Sequence, residues 1–262
     1  VAFVSELAPL AAIRADRAID LEALGGYVCL NYVPGDPTLM RGIVRVPPAT
    51  WQRHLPSGAI ARKEYWNLRA AVAASPAPAT DDNALLNDLQ HRIDEGVKLT
   101  LRSDVPVGLF LSGGTDSALV AESAARQGKL HTAFCVDVDD PRFSEWELAS
   151  RVARRAGVRL VRVPLDSNAV LARFSDVAAH LDDPLADSSA NAVWAVSEAA
   201  SGDVKVVLSG DGGDELFGGY LTYGSTAWHQ AIERGQAHAP FLEVALGRQP
   251  ELAEMLARGD GE

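Results

Sequence analysis

Cysteine, lysine and aromatic residues are scarce in this chain, and it has no long apolar run. Two widely spaced cysteines in 262 residues cannot build a disulfide framework, so a reducing, cytoplasmic setting is the default expectation. No apolar run approaches the roughly 20 residues that a membrane-spanning helix needs, and no basic-then-apolar leader opens the sequence. Neither a membrane nor a secretory route is expected. Positive charge is also short: 24 Lys and Arg against 35 Asp and Glu leave a formal net charge of −11. A protein that grips nucleic acid shows a basic face to the phosphates, so this balance argues against nucleic acid as a substrate. What is abundant is apolar residues at 47%, with 22 Gly and 14 Pro, enough for one large or two modest domains.

The order of patterns along the chain predicts an α/β protein. A helix is expected near Leu21–Leu30, then short strands around Met40–Val46 and Thr50–His54 with a Pro-Ser-Gly turn at 56–58. Ala70 to Thr80, rich in Ala and Pro, reads as a flexible joint. Leu85, Leu86, Leu89, Ile93 and Val97 then recur at helical spacing. Beyond them strands at 107–111, 132–138, 158–163 and 204–208 alternate with helices at 117–127 and 144–156 and two more within 167–201. Such alternation specifies a parallel twisted sheet with right-handed crossovers and helices on both faces.

Two turns in this pattern carry the chemistry. The first is Ser112-Gly-Gly-Thr-Asp-Ser117, which joins an uncharged strand to an amphipathic helix. Adjacent glycines let backbone N–H groups aim at one point, and a helix start adds unpaired donors and a positive dipole end, so the segment reads as a phosphate cradle. The hydroxyls of Ser112 and Ser117 can donate to phosphate oxygens, whereas Asp116 repels them unless a divalent cation intervenes, which marks it as a magnesium ligand. The plainer reading is a tight turn with a capped helix. The strand–loop–helix setting favours the cradle.

The second is Leu208-Ser-Gly-Asp-Gly-Gly-Asp-Glu-Leu-Phe-Gly-Gly-Tyr220, again a buried-type strand running into glycines. Asp211, Asp214 and Glu215 fall within five residues, and without counterions they would repel one another, so either water or a cation sits among them. Gly210, Gly212 and Gly213 cost backbone entropy and are expected where main chain must approach a ligand closely. Ligands of an open parallel sheet bind outside the carboxyl ends of its strands, where both loops would lie. Asp116 and Asp214 would then grip one magnesium polyphosphate from two sides.

The first motif resembles the pyrophosphate-binding loop of the ATP pyrophosphatase superfamily, and the second resembles the second signature of the asparagine synthetase family within it. Phe143-Ser-Glu-Trp-Glu-Leu-Ala-Ser-Arg-Val-Ala153 and Asp182-Asp-Pro-Leu-Ala-Asp-Ser-Ser189 are similar to the family's intervening segments. Val1–Leu7 looks like the last strand of a glutaminase domain, and Ile19–Leu24, Tyr32–Pro34 and Tyr65–Trp66 look like the linker after it. The resemblance implies an adenine nucleotide alpha hydrolase-like fold, with residues 1–75 as the end of the glutaminase-like domain plus linker and 76–262 as the ATP-binding synthetase domain. It implies ATP and Mg2+ as cofactors: Ser112, Gly113, Gly114 and Ser117 on the β- and γ-phosphates, Asp116 and Asp214 on the metal. Leu111, Val136, Ser209 and Gly210 would line the adenosine, with backbone groups of Val136 reading adenine and Asp211 facing the acceptor. The implied reaction adenylates a small-molecule carboxylate, aspartate-like, releases pyrophosphate, and lets ammonia or an amine displace AMP. A ring-closing amide synthetase of the β-lactam or lasso-peptide type keeps that chemistry with an internal amine. A nucleotide-binding module without turnover is the third reading.

The chain also departs from the family. Members carry a lysine far downstream of the second signature, whereas the lysines here are Lys63, Lys98, Lys129 and Lys205, none after Tyr220. The C-terminal region thus reads as truncated, and the absence of an initiator Met at Val1 favours a fragment. Ammonia would come from a glutaminase domain largely absent from this chain, and the assembly state is open, a homodimer included. Cys29 and Cys135 sit among apolar neighbours and read as inert buried thiols. His131, His180 and His229 lack metal-ligand spacing, and Trp51, Trp66, Trp146, Trp194 and Trp228 read as packing residues. Asp182, Asp183 and Asp187 are divided between an acceptor pocket and a solvated acidic loop, with Ser188 and Ser189 as helix caps.

Overall fold

Strand residues that alternate between two apolar sets need cover on both faces, and the chain supplies it with helices from either side. A computed structural model describes residues 2–14, 16–75, 81–220 and 223. Among these the strands β3 (Val107–Phe110), β4 (Leu130–Val138), β5 (Arg159–Leu165) and β6 (Val206–Leu208) form one parallel sheet in the order β5-β4-β3-β6. On one face Leu109, Leu111, Ala133 and Cys135 pack with α4 (Asp82–Thr100), α5 (Thr115–Arg126) and α6 (Trp146–Ala156). On the other, Phe134, Val163 and Leu165 meet α8 (Ser189–Ser201), which α7 (Ser167–His180) accompanies. Gly108 makes room there, since a Cβ would stand 3.1 Å from both Phe134 Cε2 and Val204 Cγ2. The expected α/β architecture, parallel with helices on both faces, is what forms.

This strand order positions the site. From β3 the chain moves outward to β4 and β5, then returns to place β6 on the other side of β3. The winding direction reverses between β3 and β6, and at such a switch point the loops leaving the strands part to open a crevice. Helix ends follow local chemistry. Asp81 accepts from the Ala84 N–H at 2.8 Å to start α4, Asp166 from the Ala169 N–H at 2.7 Å to start α7, and Gly157 ends α6 at φ +69°.

Residues upstream of the sheet form α1 (Leu7–Ile13), α2 (Leu21–Leu30), the antiparallel hairpin β1 (Thr50–His54) and β2 (Ile60–Glu64), and α3 (Leu68–Ala74). Helix α2, strand β1 and the turn at 56–58 match the expectations from sequence, and β2, absent from those expectations, completes a hairpin there. Three other readings are corrected. No strand occurs at residues 2–6, and Leu7 begins a helix. Met40–Val46 is not a strand: only isolated bridges form, Met40 with Ile19 and Val44 with Pro37, because the chain turns at Gly42 with φ +79°. The supposed joint from Ala70 is helical as far as Ala74, since Asn67 caps α3 through the Ala70 N–H at 3.0 Å and alanine favours helix; residues 76–80 lie outside the described residues. Among the described residues no helix is long and apolar enough to cross a membrane.

Candidate functional site

Because the apolar strand β3 ends where α5 must begin, residues 111–114 have to reverse direction within one turn. Gly113 takes φ +82°, open to glycine at little cost. The seryl hydroxyls close the turn. Ser112 Oγ and Ser117 Oγ lie 3.0 Å apart, the Gly114 N–H donates to Ser112 Oγ at 3.2 Å, and Ser117 Oγ donates to the Gly114 carbonyl at 3.2 Å. Gly114 is the N-cap of α5 and offers no side-chain acceptor. The N–H groups of the first turn, at Thr115, Asp116 and Ser117, therefore lack an intrahelical partner and form the positive end of the helix.

After β6 the chain makes a second turn. Ser209 Oγ donates to Asp211 Oδ2 at 2.9 Å, which orients that exposed carboxylate, and Gly212 at φ +91° starts the short helix α9 (Gly213–Phe217). The two turns touch. A Cβ on Gly210 would stand 2.8 Å from the Ser117 amide nitrogen and 3.2 Å from its Cα, and one on Gly213 would stand 2.8 Å from Asp116 Cβ. Only glycine allows approaches this close. Loops distant in sequence are thus clasped at the switch point.

Between them opens a cleft of about 520 Å³. Of the residues expected at a nucleotide site, Leu111, Ser112, Gly114, Asp116, Ser117, Val136, Ser209, Gly210, Asp211 and Asp214 all line it. Gly113 does not. Its missing side chain serves packing instead, since a Cβ would meet the Ala149 amide nitrogen at 2.5 Å and Leu148 Cβ at 2.7 Å on α6. Asp116 and Asp214 face the same space from opposite loops. Among the described residues no three His, Cys, Asp or Glu side chains gather to hold a metal ion by themselves. A pair of carboxylates suits a hard cation that draws its other ligands from phosphate and water.

Several lining residues give no signal in the sequence. Phe110, Phe134 and Val207 form an apolar floor, and Ala192, Val193 and Val196 of α8 make a wall. Apolar strand sequence marks Phe110, Phe134 and Val207 as candidates for burial, but not that one face of the sheet becomes a floor at its open end. Glu145 also borders the cleft at the N-cap of α6, and desolvation by its surroundings pushes its carboxyl above the usual glutamate range. Next to Val136, the buried Asp137 accepts from Ser144 Oγ at 2.6 Å and pairs with Arg162, whose guanidinium lies 5.3 Å from the Trp146 ring. The Ser144 hydrogen bond, then the Arg162 hydrogen bond and charge, hold this carboxyl below the usual range. The network pins the β4–α6 turn that carries Glu145.

Other expectations resolve differently. Asp182, Asp183 and Asp187 do not line this cleft. Asp187 accepts from the Ser189 N–H at 2.8 Å, while the N-cap Ser188 makes no side-chain cap bond. Cys135 is buried, and desolvation pushes its thiol up to about 12. Cys29 is exposed, contrary to the reading from its apolar neighbours, because Ala23 is the buried residue of α2 and Val28 and Leu30 are exposed as well. His180 packs edge-on against Trp194, with ring centroids 4.7 Å apart. His229 and Trp228 lie outside the described residues.

The fold and the cleft define a class: a parallel α/β domain whose sheet opens, at its switch point, onto a glycine-lined crevice with helix N–H donors at one loop and one carboxylate on each of the two facing loops. Residues 88–261 match the family model described as Asparagine synthase, and the chain belongs to that family. It is similar to glutamine-hydrolyzing asparagine synthetase 1 of Bacillus subtilis, 34% identical over 223 residues, or 85% of this chain and 34% of that protein. A putative glutamine-hydrolyzing asparagine synthetase of Mycobacterium tuberculosis is 35% identical over 79% of this chain and 32% of its own length. Amidase chyE of Penicillium rubens is 34% identical over 70% of this chain and 30% of its own. The chain spans about a third of the length of these curated relatives.

Proposed function

We propose that this chain carries the ATP-binding synthetase part of a ligase that forms C–N bonds, with residues 76–262 as that domain and residues 1–75 as the end of an adjoining glutaminase-like domain plus linker. In this reading an aspartate-like carboxylate attacks the α-phosphorus of ATP, pyrophosphate leaves, and ammonia or another amine displaces AMP from the acyl-adenylate. Membership of the asparagine synthase family supports the reaction class. One observation supports the nucleotide assignment above all: the turns after β3 and β6 meet so closely that Gly210 and Gly213 leave no space for a side chain.

The residues divide the work by their chemistry. The first-turn N–H groups of α5 donate to the β- and γ-phosphates, already aimed and therefore costing little reorganisation as charge builds on the leaving pyrophosphate, and the hydroxyls of Ser112 and Ser117 rotate away from one another and from the Gly114 carbonyl to join them. Leu111, Val136 and the Ser209–Gly210 pair enclose the adenosine beside the apolar floor. Asp116 and Asp214 hold a magnesium ion, which when bound neutralises phosphate charge and polarises the leaving group. Asp211, held by the Ser209 hydroxyl, faces the acceptor.

Exchange of labelled pyrophosphate into ATP tests the proposal. Exchange that requires Mg2+ and is stimulated by aspartate is the expected result. Exchange only with another carboxylate would keep the adenylation chemistry and move the acceptor toward the ring-closing type. Tight Mg-ATP binding with no exchange under any acceptor would defeat the assignment as a ligase.

A further inference from the structure

Between α7 and α8 the segment 181–188 has bends but no helix or strand of its own, and it is fastened to residues far upstream. Asp182 Oδ1 accepts from the Leu7 N–H at 2.8 Å, and the Ala186 N–H donates to the Asn31 carbonyl at 2.8 Å. Asp183 is the central tie. Its Oδ1 accepts from the Leu39 N–H at 2.7 Å, its Oδ2 pairs with the Arg45 guanidinium, and its side chain is only 11% exposed. Arg45 is itself held: Nη1 donates to the carbonyls of Val33 at 3.3 Å, Gly35 at 2.9 Å and Pro37 at 2.8 Å. A planar fork engaged on several carbonyls is rigid, so the upstream segment presents a fixed cation to which the carboxylate anchors.

The other end of segment 181–188 leads straight into the cleft. Asp187 caps the Ser189 N–H, and Ala192 and Val193, in the first two turns of α8, belong to the cleft wall. We infer that Asp183 is a positioning residue: through its pair with Arg45 it sets where α8 begins, and so how closely the Ala192–Val193 wall stands to the nucleotide. The consequence for ligand binding rests on the nucleotide reading above. The mechanical link to α8 does not.

Two measurements on the protein separate the two halves. Asp183→Asn keeps an acceptor for Leu39 and loses the charge; Arg45→Met keeps the aliphatic stem and loses the guanidinium. Amide hydrogen exchange without nucleotide should accelerate about tenfold across 189–193 in each variant while 117–126 in α5 stays at the parental rate. The Kd for Mg-ATP should rise about fivefold in each, and the double variant should be no weaker than the weaker single, as a shared interaction requires. Arg45→Lys, which retains charge without the fork, should fall between parent and Arg45→Met and serves should the latter not fold. Parental exchange at 189–193, equal acceleration throughout α5, or additive losses of affinity would overturn the inference. A parent that fails to bind Mg-ATP would instead refute the nucleotide reading, and the exchange result would still decide the link.

Discussion

Gly210→Ala is the most direct probe of the clasp between the two loops. The added methyl would lie 2.8 Å from the Ser117 amide nitrogen, 3.2 Å from its Cα and 3.3 Å from the Asp116 carbonyl carbon. All three are backbone atoms of the first turn of α5, which cannot swing aside as a side chain can. Ordinary contact begins at 3.4 Å, so the loops must part by about 0.6 Å at the tightest point. Forcing a methyl into such a space costs about 1–3 kcal/mol. At about 2–4 °C per kcal/mol, the thermal midpoint should fall by about 2–12 °C. The effect on turnover should be larger than stability alone implies, because a displacement approaching 1 Å in a positioning group costs as much as about a hundredfold in rate. Pyrophosphate exchange measured well below the midpoint should therefore fall about tenfold or more. Gly114→Ala is the control: its Cβ would meet only the rotatable Ser112 hydroxyl, at 3.3 Å, so stability should fall only by the N-cap preference for glycine over alanine, about 0.5–1 kcal/mol, with no backbone overlap to add. If Gly210→Ala binds Mg-ATP and exchanges pyrophosphate as the parent does, the two turns do not act as one cradle.

Three further outcomes follow from local chemistry. Gly96 lies in the exposed interior of α4 with nothing within 4 Å of an added Cβ, so Gly96→Ala should raise stability by about 1 kcal/mol in urea titration. Asp137→Asn should destabilise the protein by about 2 kcal/mol at pH 7, since it removes the charge that accepts from Ser144 and Arg162. Because the folded carboxyl lies below its ordinary value, its stabilisation is fully present above that value and fades as pH falls through the folded one, so the gap between parent and variant should close below about pH 4; a gap independent of pH would refute the cause. Of the two thiols, Cys29 should react with a thiol reagent at pH 8 in the native protein and Cys135, its thiol pushed up to about 12 by burial, should react only after unfolding; native labelling of both would contradict the packing of β4.

Much of this molecule is legible in its sequence where spacing alone decides. The helices after β3 and β4 begin within two residues of their expected starts, since an apolar strand, a glycine turn and an amphipathic run are each local patterns. The strand that the family resemblance implied at Val1–Leu7 does not form at residues 2–6, where Leu7 opens a helix instead, and Met40–Val46 misled because a short apolar run does not distinguish a strand from a bridged loop. Cys29 misled because apolar neighbours along α2 do not say which side of that helix is covered. The Asp182–Asp183 pair was ambiguous for the same reason, as its partners Leu7, Leu39 and Arg45 lie more than a hundred residues upstream.

From the sequence alone came the strand–turn–helix units, the glycines and carboxylates of both loops, and the parallel α/β class, all of them set by patterns a few residues long. Only the tertiary structure decided that β6 lies beside β3, that Gly210 and Gly213 press against Ser117 and Asp116, and that Gly113 turns its bare face to α6 rather than to the cleft. It alone also placed α8 as the wall and tied Asp183, in the segment before α8, to Arg45. The physical reason is that close packing between distant segments depends on strand order and on which surfaces meet, and neither is written in the spacing of neighbouring residues.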